Sequence, residues 1–459
     1  MKIELMLGVS ILKSASNGMI AILFLAFVLS QFMSHTVLTY GITVLTAIII
    51  VISLIYSKGL PKYFGIVMTV ISSLILLYQQ QSFDVWNTGV TKNLALVLLI
   101  TMVPILGIPI RLGHYHEHLG GFLAKFQKKP HFLYFMVSGM FTLIAPITNV
   151  GSIYIVHSML DKMRLPNGFI GRVYVRGITS VHTWSPYFAS VFLVVYSLNI
   201  PIREYLPYGL VLSFFQIAIA YMLFKYVESR DMTFNLHYEE TGRNNKKLYE
   251  LIAIIVLLTG LIFALEPFVP WSVIVLISLL VLGFTYFWSV YLQETRAFFQ
   301  ELNVYRKTIF PHKANEINLL LTAGLFGVVL EKTPISNVIQ GVWESLASVS
   351  VFVLILGTIV IVSLLSLIGI HQIVTVSTII ATVSYQALGI DVIVMAMMLL
   401  SAWAVSVTVS PVSPVITIVT SIIKENPFKV ILRWNLHYAL ILALVHSVVI
   451  YGMHVFWFS

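Results

Sequence analysis

Apolar runs of about 20 residues, enough to cross the hydrocarbon core of a bilayer, follow one another from Gly18 almost to the end of this 459-residue chain. Nothing between them is long enough to fold as a separate soluble domain. Charged residues make up only 10% of the chain and hydrophobic ones 59%, whereas soluble domains carry about 25% charged residues. The fold class that follows is an all-α polytopic membrane protein.

The formal charge of +9 is spread as short basic clusters between the apolar runs. That is a topology signal rather than a nucleic-acid footprint. The chain has no cysteine, which excludes disulfides, thiolate chemistry and Cys-ligated metal. The first residues, MKIELMLGVSILKSASNG, show no small-residue cleavage site after an apolar core, so the N-terminus is expected to be retained and cytoplasmic. The expected location is a plasma membrane, such as a bacterial inner membrane, with the C-terminus outside.

Eleven spans are expected, near 17–34, 36–57, 63–79, 93–110, 177–200, 205–225, 249–266, 271–290, 315–331, 391–423 and 434–456. Two further apolar segments do not fit as single spans. Segment 131–160 is preceded by Lys125, Lys128 and Lys129 and followed by Lys162, Arg164, Arg172 and Arg176, so both ends carry the cytoplasmic signature. It reads as a re-entrant hairpin turning at Ala145–Ser152, where Pro146 and Gly151 break the helix. Segment 350–386 lies in a stretch with no Lys or Arg between Lys332 and Lys424 and reads as a second hairpin, entering from outside and turning at Leu367–Gln372. This threading puts all but Lys92, Arg203 and Lys332 of the 27 Lys and Arg residues on the cytoplasmic side. The cytoplasmic loops are then 111–130, 161–176, 226–248, 291–313 and 424–433.

The order of features recurs in opposite orientation. A span at 93–110 leads to apolar residues at Leu119, Phe122, Leu123 and Phe126, then to the first hairpin and a broken helix, SVHTWSPYFASVFLVV. A span at 315–331 leads to Ile335, Val338, Ile339 and Val342 at the same i, i+3, i+4, i+7 spacing, then to the second hairpin and SVTVSPVSPVITIV. Inverted repeats with discontinuous helices place binding sites near the bilayer midplane. The expected division is 1–90 as N-terminal scaffold helices, 91–226 as the first repeat, 227–313 as a cytoplasmic loop, scaffold helices and an interfacial helix, and 314–459 as the second repeat. The interfacial helix carries Phe298, Leu302, Tyr305 and Ile309 on one face.

Proline inside a helix removes a donor and frees a carbonyl one turn earlier, and in hydrocarbon such groups are costly unless something satisfies them. Breaks at 146–151, 182–186, 369–372 and 408–414 therefore mark the candidate site. Half-helix N-termini there offer positive dipole ends to an anion, and freed carbonyls and hydroxyls offer oxygens to a cation such as sodium. The candidates are Gly151 at the first break, His182, Thr183 and Ser185 at the second, Gly369 and His371 at the third, and Thr408, Ser410 and Ser413 at the fourth. His182 and His371 sit at equivalent breaks and could carry a coupling proton. His157, His446 and His454 read as hydrogen-bonded or interfacial. HYHEH, His114–His118, alternates sides on a strand or a helix and reads as a solvated loop, with no metal assigned.

Two hairpins, two interfacial arm helices, eleven spans, an inside N-terminus and an outside C-terminus resemble the ion transporter superfamily, and within it the divalent anion/sodium symporter fold, over about residues 90–457. In that family an Asn-Thr type motif at hairpin and helix breaks binds substrate carboxylate and sodium. The resemblance thus implies binding roles for Thr148, Asn149 and Ser152 of ITNVGS. The second hairpin departs from the motif, with Gly369, Ile370 and His371 in its place.

An enzyme is not expected: the chain has no H-E-x-x-H, no G-x-S-x-G and no cysteine, and Asp84, Asp161, Asp231 and Asp391 fall at span ends or in loops. The reading is a secondary active transporter of a small anionic solute, coupled to sodium or protons, with elevator-type alternating access and no cofactor. Its partners are the solute and the lipid bilayer, no nucleic acid is involved, and a homodimer is left open. The alternatives are a lipid or amphiphile flippase or exporter and a non-transporting membrane partner protein.

Overall fold

The computed structural model describes residues 18–33, 35–232, 234 and 246–458, with only the backbone of His116, Lys162 and Asp231. The expected cytoplasmic N-terminal segment and most of the expected loop at 226–248 lie outside the described residues.

Helices follow one another along the described chain, and their limits answer to local chemistry. The first six are α1 (Gly18–Ser30), α2 (Thr36–Tyr56), α3 (Leu60–Tyr78), α4 (Phe83–Thr91), α5 (Leu94–Met102) and α6 (Gly107–Leu112). Pro61 opens α3 from its first turn, where a missing N–H costs nothing. Next come α7 (Tyr115–Ala124), α8 (Pro130–Thr148), α9 (Ser152–Leu160), α10 (Asn167–Thr179), α11 (Ala189–Ser197), α12 (Ile202–Tyr226) and α13 (Lys246–Leu265). The rest are α14 (Val273–Tyr291), α15 (Thr295–Glu331), α16 (Ile335–Val349), α17 (Val351–Leu367), α18 (Gln372–Thr382), α19 (Val392–Val409), α20 (Pro414–Ile423) and α21 (Leu436–Met453), the last entered through a π-helical turn at Lys429–Asn435.

Ten helices or helix runs among the described residues are long and apolar enough to cross a membrane, and the chain is an integral membrane protein. The expected span at 177–200 is not among them, because it is broken between α10 and α11. The described part of the first span, α1, is short.

Two compact units form. Unit 1 comprises Met1–Pro109, Ala264–Asn337 and Ser377–Thr382; unit 2 comprises Ile110–Phe263, Val338–Val376 and Val383–Ser459. The axis of unit 1 is α15, against which α2, α3, α4 and α5 pack. At 37 residues it runs roughly 55 Å at 1.5 Å per residue, so the expected interfacial helix and the span after it are one helix, continuous through Pro311. Its apolar face turns inward rather than along a membrane surface: Phe298 and Ile309 are buried and the Tyr305 hydroxyl donates to the Thr101 carbonyl at 2.7 Å.

The axis of unit 2 is α19, buried all round from Val394 to Val409 and flanked by α10, α11, α12, α17 and α21. A helix apolar on every face belongs in a core. His446 of α21 joins this core with both nitrogens engaged, one by the Ser401 hydroxyl at 2.9 Å and one by the Leu212 carbonyl at 3.2 Å. HYHEH is not a loop throughout: His114 takes a left-handed turn with φ 53° and α7 starts at Tyr115. The buried Tyr115 lies under the Lys247 ammonium, 4.4 Å from its ring centroid, and its hydroxyl donates to Glu250.

Candidate functional site

All twelve residues singled out from the sequence fall in unit 2. Three of the four breaks sit on elements packed against one another: α8 and α19 both meet the 3₁₀ turn Ser180–Thr183 that follows α10, while α20 packs on α9 and α10.

The first break pivots on Asn149, not on the residues expected to cause it. Pro146 lies inside α8 and Gly151 keeps a helical φ of −59°, whereas Asn149 has φ 54° and ψ −137°. Asparagine tolerates positive φ because its short polar side chain can bond locally, and here its Oδ1 accepts from the Val150 amide at 2.9 Å. The Asn149 carbonyl accepts from the Ser152 hydroxyl at 2.7 Å, and Thr148 donates to the Ile144 carbonyl at 3.0 Å.

The second break lies between α10 and α11. Pro186 leaves the carbonyl of His182 without its helical donor, and the Ser190 hydroxyl fills the gap at 2.9 Å. The Thr183 carbonyl accepts from the Tyr205 hydroxyl at 2.8 Å, and the Thr183 hydroxyl accepts from Gln216 Nε2 at 3.1 Å while donating to the Ser180 carbonyl at 3.1 Å. Gly209 of α12 lets this turn come close: a Cβ there would stand 2.4 Å from the Thr183 carbonyl oxygen and 3.0 Å from the Trp184 Cα. The His182 ring bonds the Ile178 carbonyl through Nδ1 at 3.2 Å and packs edge-on against Phe188. Ser185 accepts from the Tyr187 amide at 3.4 Å. Two buried donors are left over, Trp184 Nε1 and the Tyr187 hydroxyl.

At the third break Gly369 takes φ 101°, a conformation that favours glycine. It caps α17, with the Gly369 amide donating to Ser366 at 3.1 Å and the Ile370 amide to Leu365 at 2.9 Å. His371 starts α18, accepting the Ile373 amide on Nδ1 at 3.2 Å. Gln372 Nε2 and the Thr375 hydroxyl are buried beside it without partners.

The fourth break, between α19 and α20, differs. The Thr408 hydroxyl turns back to the Val405 carbonyl at 2.5 Å and Ser413 caps α20 by accepting the Ile416 amide at 3.3 Å. Ser410, in an extended conformation, receives the Ser413 amide on its carbonyl at 3.2 Å. No hydrogen-bond donor among the described residues reaches the carbonyls of Val407, Thr408 and Val409, and the buried Ser410 hydroxyl has no partner. Four acceptor oxygens thus crowd one end of the core helix.

Sequence reasoning missed the support beneath the second break. Arg176 was read as a cytoplasmic loop residue; it lies instead in α10, 1% exposed, with both Glu228 oxygens at 2.9 and 2.7 Å, Asn435 Oδ1 at 3.0 Å and the Trp434 carbonyl at 2.5 Å. Arg172 adds a second ion pair to Glu228 at 3.1 Å. The signal was Glu228 itself, an acid at the end of a long apolar helix, but a sequence gives no pairing across 52 positions. Trp184, Tyr205 and Gln216 were missed for the same reason.

No family model matches this chain, and no curated protein matches it. Among solved structures it is similar to the YdaH transporter of Alcanivorax borkumensis, with a TM-score of 0.57 and 16% identity, covering 83% of this chain and 89% of that one. At this identity the likeness shows the fold alone: the helical membrane architecture is one that a transporter also adopts.

Proposed function

We propose that this chain is a secondary active transporter of a small anionic solute, coupled to sodium. The observation that carries the reading is the cluster of unpartnered oxygens at the fourth break, three backbone carbonyls and the Ser410 hydroxyl. Hard cations without strict geometry are bound by such neutral oxygens, and unwound backbone at membrane depth is tolerated where it lines a site. The Trp184 Nε1 donor, buried without an acceptor on a turn whose neighbour packs on α19, supplies the complementary group for an anion. Sodium is favoured over protons because the unpartnered groups at the fourth break are oxygens, and because His371 already spends its Nδ1 lone pair on the Ile373 amide. α8 with α9, and α17 with α18, act as re-entrant hairpins, and unit 2 carries the site in an elevator-type cycle. The fold shared with a transporter supports the class of function.

Uptake of labelled organic anions into proteoliposomes, with and without an inward sodium gradient, tests this. Sodium-dependent accumulation is expected, and uptake indifferent to sodium would refute the coupling. The hairpin reading has its own check: single cysteines placed at Lys128 and Arg164 should both be labelled from the cytoplasmic side only. Labelling from opposite sides would make 131–160 a true span.

A further inference from the structure

Away from the proposed transport site, unit 2 holds a cavity of about 730 Å³ where the start of α10, the end of α12, the π-helical turn and α21 meet. Its walls combine two chemistries. One is cationic: Arg172, Lys429 and Arg433 line it. The other is apolar and continues outward, since Val227, just past the end of α12, and Ile441, within α21, line the cavity and are themselves 60% and 36% exposed, and both helices are apolar enough to span the membrane.

The charges do not cancel. Arg172 and Arg176 share Glu228, and Lys429 is matched by Glu425 at 2.9 Å, a carboxylate in the preceding turn that the hydrogen bond from Lys429 holds below its usual range. Arg433 makes no ion pair among the described residues. Four cations against two carboxylates leave a surplus of two positive charges. Trp434 lies between two of the cations, with Arg172 5.7 Å and Lys429 5.4 Å from its ring, and tryptophan favours the headgroup level of a bilayer.

The backbone is adapted to the same place. Lys429–Asn435 is a π-helical turn, a form that is rare and found mostly at functional sites. Asn435 stabilises it from within, donating to the Val430 carbonyl at 3.0 Å and the Gly171 carbonyl at 3.2 Å. The turn brings Lys429, Arg433 and Trp434 to one cavity.

We propose that this cavity binds the phosphate of an anionic phospholipid headgroup, with Arg433 as the principal cation and the acyl chains lying along Val227 and Ile441. Basic pockets between membrane helices take anionic headgroups by such charge-assisted contacts. A soluble anion would use the cations but not the exposed apolar wall, so the lipid is the occupant that matches both chemistries. This assignment does not rest on the transport reading.

Native mass spectrometry of the delipidated full chain in detergent, titrated with phosphatidylglycerol, phosphatidylethanolamine or inorganic phosphate, tests it. Retention of phosphatidylglycerol over phosphatidylethanolamine is expected, weakened by about tenfold in Arg433→Gln, or about 1.4 kcal/mol. Equal retention of both lipids, or an unchanged affinity in Arg433→Gln, would overturn the proposal. Inorganic phosphate bound with the same dependence on Arg433 would make this a soluble-anion site and would overturn the lipid assignment as well. A second readout works on the folded wild type: phosphatidylglycerol with brominated chains should quench a fluorescence component that is absent from Trp434→Phe. Identical quenching in the two proteins would refute the placement.

Discussion

Pro186 and Pro411 each deprive a carbonyl one turn earlier of its amide donor, yet the two breaks end differently. At Pro186 the carbonyls of His182 and Thr183 are taken up by Ser190 and Tyr205, and Gln216 reaches the Thr183 hydroxyl. At Pro411 the carbonyls of Val407, Thr408 and Val409 and the Ser410 hydroxyl meet no donor among the described residues. Unpartnered buried polar groups cost free energy, more so in hydrocarbon, and they persist where a ligand supplies the missing contact. The difference supports the unlike tasks proposed for the two breaks. The Pro186 break is a packed joint whose buried unpartnered groups include two donors, Trp184 Nε1 and the Tyr187 hydroxyl, and the Pro411 break is an oxygen-rich end whose unpartnered groups are mostly acceptors.

Substitutions can break or sharpen this contrast. The largest effect is expected beneath the joint. Arg176→Met leaves the buried Glu228 with Arg172 as its one cation and removes the donor to Asn435 Oδ1 and the Trp434 carbonyl, which should cost about 3 kcal/mol of stability, the low end of what breaking a buried pair does. Thermal unfolding in detergent would show it, and the double variant Arg176→Met/Glu228→Gln should recover part of the loss. A single variant as stable as wild type would mean that the pair does not anchor α10.

A smaller loss is expected at the joint itself. Thr183→Val keeps the shape but leaves the Gln216 amide without its acceptor, at a cost of about 1–3 kcal/mol. Its affinity for sodium should be unchanged. A Thr183→Val protein that unfolds normally but binds sodium weakly would move the cation to the wrong break.

Smallest in stability, and opposite in sign, is Ser410→Ala. It removes a buried hydroxyl that has no partner, so the sodium-free protein should be as stable as wild type or slightly more so, as read by its melting temperature without sodium. A clear destabilisation would show that Ser410 is already satisfied.

The broken helices were legible in the sequence because proline and small hydroxyl residues inside apolar runs have few readings. Helices at α7 and α16 were legible from their apolar spacing, and the turn at Leu367–Gln372 falls where Gly369 was expected to interrupt the helix. What stayed hidden depends on contacts between distant segments. Nothing local marks Arg176 as buried, since an arginine after an apolar segment looks like a topology charge until Glu228 is seen beside it. The pivot at Asn149 was hidden by its neighbours, as Pro146 near a helix end disturbs little and Gly151 uses none of its conformational freedom. The continuity of α15 through Pro311 was equally unreadable, because packing by α2 and α3 overrides a local breaker.

The sodium dependence of thermal stability in wild type, Ser410→Ala and Thr183→Val, with potassium as the control, bears most directly on the Pro411 break as a cation site. A ligand that binds only the folded state raises its melting temperature. Sodium, and not potassium, should raise that of wild type and of Thr183→Val, while Ser410→Ala should need about tenfold more sodium for the same shift, corresponding to about 1.4 kcal/mol. An identical sodium response in all three proteins, or none in wild type, would contradict a cation site at the end of α19.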